Sequence, residues 1–359
     1  MQFLATESGD LAALDGLLAQ AAAAPAQTVL VLGAAGNAWD GAALAARLGR
    51  HPQAVCGALF PELIVHGRRA PRGALVLPLE GESRMALLPL GDAAEAALRL
   101  AGLESEAARL ALLFVPGLAP GIGALVETVF NHLGPQVAYL GAGAGSLEDS
   151  APALFGNQGY VDGHALVVLA SLAASVGVAH GWQPVSPPFR VTQAQGGRVL
   201  SLDWHPAEAV YRAALADHGG AAAQERMQAY PLGIARLGAE MVVRDVLGAA
   251  EGALACVAEL SEGAYVHVLH GVPAGLLAAA GAARQQAYAA ARGAPAGLPL
   301  IVDCISRAQF LGADYARELA LLTAGEPVCG VLGLGEIASS GHDCVEFLNK
   351  TAVLGLLHG

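Results

Sequence analysis

Between Leu298 and Gly359 the chain gathers most of the side chains that can do chemistry. An apolar run ends in Asp303-Cys304-Ile305-Ser306-Arg307, a second leads into Gly335-Glu336-Ile337-Ala338, and the chain closes through Glu346-Phe347-Leu348-Asn349-Lys350-Thr351. Polar groups at the ends of apolar segments are what an open α/β sheet presents to a ligand. Lys350 is the only lysine, beside 18 arginines. A single ammonium kept next to an amide and a hydroxyl is a candidate binding group, with a solvated surface amine as the plain alternative. Asp303, Arg307, Glu336, Asn349 and Lys350 are expected to converge on one cleft. Asp303 is expected to pair with Arg307 one helical turn on, so that losing either partner costs on the order of 3 kcal/mol.

Cys304 lies at an expected strand end, just before a helix and near Arg307. Both surroundings lower a thiol pKa, so a thiolate suited to a metal or redox sensor is one reading and a structural cysteine the other. No His–Asn or His–Asp pair at a recognisable spacing supports a cysteine nucleophile. Gly141, Gly143, Gly145 and Ser146 follow a strand, where their backbone N–H groups can form an anion nest or a simple tight turn. Leu147-Glu148-Asp149 puts negative charge where phosphate would sit, and nucleotide-loop spacing is missing. Gly33-Ala34-Ala35-Gly36 is a fainter version, readily produced by chance in an Ala/Gly-rich chain. Metal spacing is poor: His267 and His270 would face opposite sides of a strand, and His342-Asp343-Cys344 offers at most two ligands.

The elements that must position these groups read from periodicity. Helical spacing covers 11–22, 39–48, 93–103, 122–133, 207–215, 273–291 and 308–322. Strand-like runs include 28–32, 54–59, 63–65, 110–115, 137–140, 165–170, 176–180, 300–304, 328–332 and 352–357, and Gln195-Gly196-Gly197 reads as a hairpin turn. Strands interleaved with helices give an α/β (α+β) class, a two-domain sandwich of mixed β-sheets covered by helices. The proline-rich stretch Gly181 to Pro188 divides residues 1–188 from 189–359, because proline cannot continue a helix or a central strand.

Composition narrows the function classes. A chain 55% hydrophobic with 46 glycines is globular. A formal charge of −12, with no basic run longer than Arg68-Arg69, argues against nucleic acid and anionic membranes as partners. The apolar stretches 110–126 and 163–189 are broken by Pro-Gly pairs or serines and fall short of a membrane span. No basic leader follows Met1. Five widely spaced cysteines fit free thiols in a reducing cytoplasm, the expected location.

Ordered phrases over most of the length carry a family resemblance. They are Tyr139-Leu140-Gly141-Ala142-Gly143-Ala144-Gly145-Ser146, Asp162-Gly163, His180-Gly181-Trp182 and Val191-Thr192 with Pro206-Ala207 and Tyr211. Then come Tyr230-Pro231-Leu232-Gly233-Ile234, Val243-Arg244-Asp245, Asp303 to Arg307, Gly335-Glu336-Ile337 and Asn349-Lys350-Thr351. From about Val29 to its end the chain resembles FIST sensory proteins, in which an N-terminal and a C-terminal FIST domain occur together in bacterial signal transduction. The resemblance implies a non-enzymatic sensor acting in trans on a histidine kinase or cyclic-di-GMP enzyme. It also implies a ligand site drawn from Gly141, Gly143, Gly145, Ser146, Trp182, Arg244, Asp303, Cys304, Arg307, Glu336, Asn349, Lys350 and Thr351. One branch of the family looks like haem proteins that detect nitric oxide, so haem b is the first ligand expected and an amino acid or similar metabolite the second. No Cys-x-x-Cys-His occurs, so haem would be held noncovalently. His180 is the first axial candidate, since it ends an apolar strand and precedes Gly181-Trp182; His66, after Leu63-Ile64-Val65, is the alternative. A homo-oligomer is compatible with all of this. The rival from another class is a thiol-dependent hydrolase centred on Cys304, with Glu336 as acid or base. The chain departs from its relatives at Cys56-Gly57-Ala58-Leu59-Phe60-Pro61, where many carry a Thr-Ala-Gly-Glu-like phrase. It departs again at Leu348, where an aromatic often precedes Asn-Lys-Thr.

Overall fold

Near-continuous apolar runs become central strands whose two faces are both covered, as such runs require. Ala26–Ala34 and Leu110–Pro116 are buried along almost their whole length. The structure, a computed structural model, describes residues 2–103, 105–148, 150–224, 227–294, 297–339 and 344–358, without the side chains of 219–224. Asp149, His342 and Asp343 lie outside the described residues.

Three strand–helix–strand units recur. Ala26–Ala34 pairs in parallel with Ala54–Phe60 across helix Gly41–Leu48, which Asp40 caps by accepting from Ala43 N at 2.8 Å. Leu110–Pro116 pairs in parallel with Ala138–Ala144 across helix Ile122–Leu133. Gly297–Cys304 pairs in parallel with Cys329–Gly333 across two helices, Ile305–Leu311 and Tyr315–Thr323. A single helix over 308–322 was the sequence expectation; Gly312, at φ +55°, turns the chain between the two segments.

Each parallel pair is the centre of a six-stranded mixed sheet, and a fourth, antiparallel sheet contains the hairpin whose turn is Gly196-Gly197. The first six-stranded sheet draws only on the first 161 residues. The other two cross the proline-rich boundary. Glu336–Ala338 pairs with Ala138–Ala144, and Ala352–His358 lies between Ala173–Ala179 and Gly297–Cys304. On the other side of the same sheet Glu62–Val65 lies between Cys329–Gly333 and the edge strand Arg68–Ala70. Residues 1–188 and 189–359 therefore interlock through shared sheets. This mixed-sheet, helix-covered architecture is the α+β class expected from the sequence.

The three-residue strands Glu336–Ala338 and Glu346–Leu348 escape periodicity, because three residues are too few to show an alternation. Their antiparallel pairing brings the Phe347 ring against Gly335, at φ +140°, where a Cβ would stand 2.4 Å from it.

Candidate ligand-binding site

The polar groups of the C-terminal phrases do meet, though inside the protein. Asp303, Arg307, Glu336 and Lys350 have no exposed surface, and Asn349, Thr351, Trp182, Cys304, His180, Asp245 and Arg244 are also buried. None of them lines the cavities of about 520 and 770 Å³, and the expected open cleft is replaced by a packed polar core. Arg307 is its hub. Its Nε and Nη2 donate to Glu318 Oε1 and Oε2 at 2.8 and 2.9 Å, and its remaining hydrogens reach the carbonyls of His180 at 2.5 Å, Leu276 at 2.6 Å and Lys350 at 3.2 Å. The Asp303–Arg307 pairing is loose, 3.9 Å from Nε to Oδ1, because Glu318 occupies the guanidinium fork. Asp303 instead accepts from the Tyr315 hydroxyl at 2.8 Å and from Cys304 N at 2.8 Å.

Lys350 adopts φ +54°, an uncommon left-handed conformation for a long side chain. Its carbonyl accepts from Trp182 Nε1 at 3.0 Å, and its ammonium sits 5.3 Å from the Trp182 ring centre. Nζ is 3.1 Å from Asp245 Oδ1, an ion-pair distance without hydrogen-bond alignment. We read the contact as an ion pair, because the charges are opposite and both groups are buried. Thr351 N donates to Glu336 Oε2 at 3.1 Å, and the Cys304 thiol neighbours the same carboxylate. Asn349 Oδ1 accepts from Asp245 N, and Arg244 donates to the carbonyls of Phe347 and Glu259.

Burial governs the protonation of these groups. It pushes the Asp303, Glu318 and Glu336 carboxyls up, with mutual repulsion adding to it for Glu318 and Glu336 and the Arg307 charge working against it. The Cys304 thiol is also raised, by burial first and the Glu336 charge second. The thiolate anticipated from a nearby cation is thus disfavoured: desolvation outweighs the Lys350 field.

The four glycine-phrase residues lie elsewhere and divide in two. Gly141 and Gly143 are strand residues kept small by close backbones: a Cβ on Gly141 would stand 1.8 Å from Leu113 O, and one on Gly143 2.8 Å from Gly117 Cα. The Gly143 N–H donates to Gly335 O and the Gly145 N–H to Leu59 O, both at 2.8–2.9 Å, so neither is free for an anion nest. Gly145 and Ser146 do line a cavity of about 520 Å³. Ala35, Gly36, Leu59 and Pro61 form another part of its wall, so the cavity lies at the carboxyl ends of the parallel strands of two different sheets. A larger space of about 770 Å³ is lined by Val137, Ala138 and Val176 at the opposite strand end.

Neither haem candidate fits an axial role. The His180 Nδ1 accepts from Trp182 N at 2.9 Å, which leaves the proton of the neutral ring on Nε2, 3.4 Å from Glu240. The one unprotonated nitrogen, Nδ1, is therefore engaged by the Trp182 amide. His66 is exposed in the turn between Glu62–Val65 and Arg68–Ala70, at φ +49°, against the ring of Phe3. That position has no apolar slot for a macrocycle.

Sequence reasoning missed Glu318, Tyr315 and Asp245. Glu318 carried a readable signal: Tyr315, Glu318, Leu319 and Leu322 fall at i, i+3, i+4 and i+7, one buried helix face with a carboxylate in it. Through these residues the cavity connects to the polar core. Glu62, which lines the cavity, accepts from Arg69 Nε and Nη2 at 2.7 and 2.6 Å; the Arg69 guanidinium stands 5.8 Å from the Tyr315 ring centre, and Tyr315 holds Asp303.

Family comparison divides the chain in two. Residues 14–205 match the FIST N domain and residues 207–339 the FIST C domain. Among curated proteins none matches the chain. No helix among the described residues is long and apolar enough to cross a membrane.

Proposed function

Since the chain belongs to the FIST family, whose domains are small-ligand sensory domains of signalling proteins, we propose that it binds a small metabolite in the 520 Å³ cavity. In this reading it reports occupancy to a partner histidine kinase or cyclic-di-GMP enzyme. One observation carries the assignment. The cavity stands outside the carboxyl ends of the parallel strands of two sheets, where open α/β folds bind ligands. The larger cavity is at the other strand end and lacks this argument. The 520 Å³ of the proposed site lies in the range of small-molecule sites.

The departure from the family pattern at Cys56–Pro61 supplies Leu59 and Pro61 to this wall, which fits a ligand particular to this chain. Haem is not favoured, given the occupied His180 ring and the exposed His66, and protein expressed with haem supply should show no Soret band. The thiol-hydrolase alternative is less favoured in this reading, because Cys304 is buried in the packed core and burial raises its thiol pKa. Signalling requires the partner to bind the occupied and empty forms unequally. The sheets shared between the two halves, and the chain of contacts from Glu62 to Asp303, give the cavity a physical route to the rest of the protein.

The test is a metabolite screen by thermal unfolding, followed by Ala151→Trp, which fills the cavity from its exposed rim. A ligand at a hundred times its Kd adds about 2.7 kcal/mol of stability. That increment should vanish in the filled variant, and a ligand that stabilises both proteins equally sinks the assignment.

A further inference from the structure

We propose that the ligand of this cavity is an organic ammonium compound without a free carboxylate, seated against Trp39 and Tyr160 with its charge toward Glu148. This rests on the cavity assignment above and narrows its chemistry. The charged side chains lining the cavity among the described residues are Glu62 and Glu148, with neither lysine nor arginine among them. Arg69 holds both oxygens of Glu62, so that carboxylate is already paired and Glu148 carries the charge that a ligand meets. A carboxylate entering this space would meet the Glu148 charge and no cationic side chain in the lining, an arrangement that disfavours anionic ligands by repulsion.

The aromatic wall supplies the complementary half. Trp39 and Tyr160 both pack on Phe155, edge to face at 6.5 and 5.9 Å, and Trp39 Nε1 is fixed to Gly9 O at 2.7 Å. These contacts hold the rings in place before a ligand arrives. Aromatic faces attract cations electrostatically, most strongly where water is excluded, and methylated ammonium groups are the ligands that such walls recognise. Gly33 allows the approach, since a Cβ there would stand 2.8 Å from the Trp39 ring. Glu62 is three-quarters or more shielded, with 19% of its side chain exposed, while Glu148 lies at the exposed rim and can meet the incoming cation. The acidic surface, −12 overall, raises the local concentration of cations further. An α-amino acid carries the wrong second charge for this site, whereas a simple amine or a choline-like cation fits it.

Isothermal titration of the full-length protein with choline, putrescine, phenethylamine, L-alanine and succinate tests the proposal, with backbone amide shifts of Trp39, Gly145 and Ser146 marking the site. At least one of the three ammonium probes should bind and move those signals, weakening several-fold between 50 and 200 mM salt. Glu148→Lys should weaken that binding at least tenfold while leaving the unfolding temperature unchanged. Binding of L-alanine or succinate at these signals, with the three cations inert, overturns the ammonium class and leaves the cavity assignment standing. Ammonium binding that is indifferent to Glu148→Lys, or that moves other signals, also overturns it. If a broad metabolite library moves none of the three signals, the cavity assignment fails and the ammonium class with it.

Discussion

Arg307→Met removes the hub of the buried polar core, and its cost can be worked group by group. The bidentate pair with Glu318 is lost where neither partner touches solvent, which leaves a carboxylate without its cation and costs about 3–5 kcal/mol. Of the three carbonyls that Arg307 serves, Lys350 O keeps the Trp182 indole, and Leu276 O lies within helix Pro273–Ala290, where a helical N–H remains. The His180 carbonyl has no such second donor among the described hydrogen bonds, and its loss is worth about 1–3 kcal/mol more. Protonation of Glu318, already favoured by burial, limits the first loss. The expected total is about 5 kcal/mol, a large part of the ~5–15 kcal/mol that folded proteins have. The double variant Arg307→Met/Glu318→Leu removes the stranded carboxylate and should recover about half of it. Equilibrium urea unfolding reports both, with fluorescence of the buried Trp182 as the local probe. The reasoning is refuted if the single variant loses under about 1 kcal/mol, or if the double variant is less stable than the single.

Gly141→Ala should fail to give soluble folded protein, because a methyl 1.8 Å from Leu113 O has nowhere to go; recovery at wild-type yield and unfolding temperature would contradict the observed strand spacing. His180 gives a pH dependence. Burial, and then the Arg307 charge, lower its folded pKa from 6.5 to about 4, so on acidification the unfolded chain takes the proton first. Its contribution is intact above pH 6.5 and is lost as pH falls toward 4, by about 3 kcal/mol in all. The buried carboxyls act in the opposite direction, their raised pKa values making them costlier as pH rises. The His180 term is therefore read as the difference between wild type and His180→Gln, and parallel profiles for the two would dismiss it. Thiol labelling of native protein should modify the half-buried Cys344 first, with Cys56, Cys256, Cys304 and Cys329 reacting only on unfolding, since burial raises all four; rapid native labelling of Cys304 would restore the reactive-thiol reading.

Much of the architecture was legible in the residues. Long elements with a strong period, such as the helices at Ile122–Leu133 and Pro273–Ala290 and the strands at Leu110–Pro116 and Ala352–His358, follow from local pattern, because burying an apolar face is decided over a few turns of sequence. The gathering of Asp303, Arg307, Glu336, Asn349 and Lys350 was legible for a related reason: polar groups at strand ends that lie on the same side of one sheet system must meet.

Tertiary structure decided what that meeting is. Whether converging charges form a wet cleft or a dry core depends on what covers them. The cover comes from distant pieces, Leu276 in one helix, Glu318 in another and His180 beyond a strand of the other half. Sequence spacing favoured Asp303 as the partner of Arg307, and only the packed geometry awards the guanidinium to Glu318, eleven residues on. Likewise Gly141 and Gly145 look alike in sequence, yet one is pressed against a neighbouring strand and the other opens onto a cavity. That difference depends on long-range pairing, as does the cavity itself, whose walls come from segments about a hundred residues apart. Local propensity carries no information about surfaces that exist only once two sheets have packed.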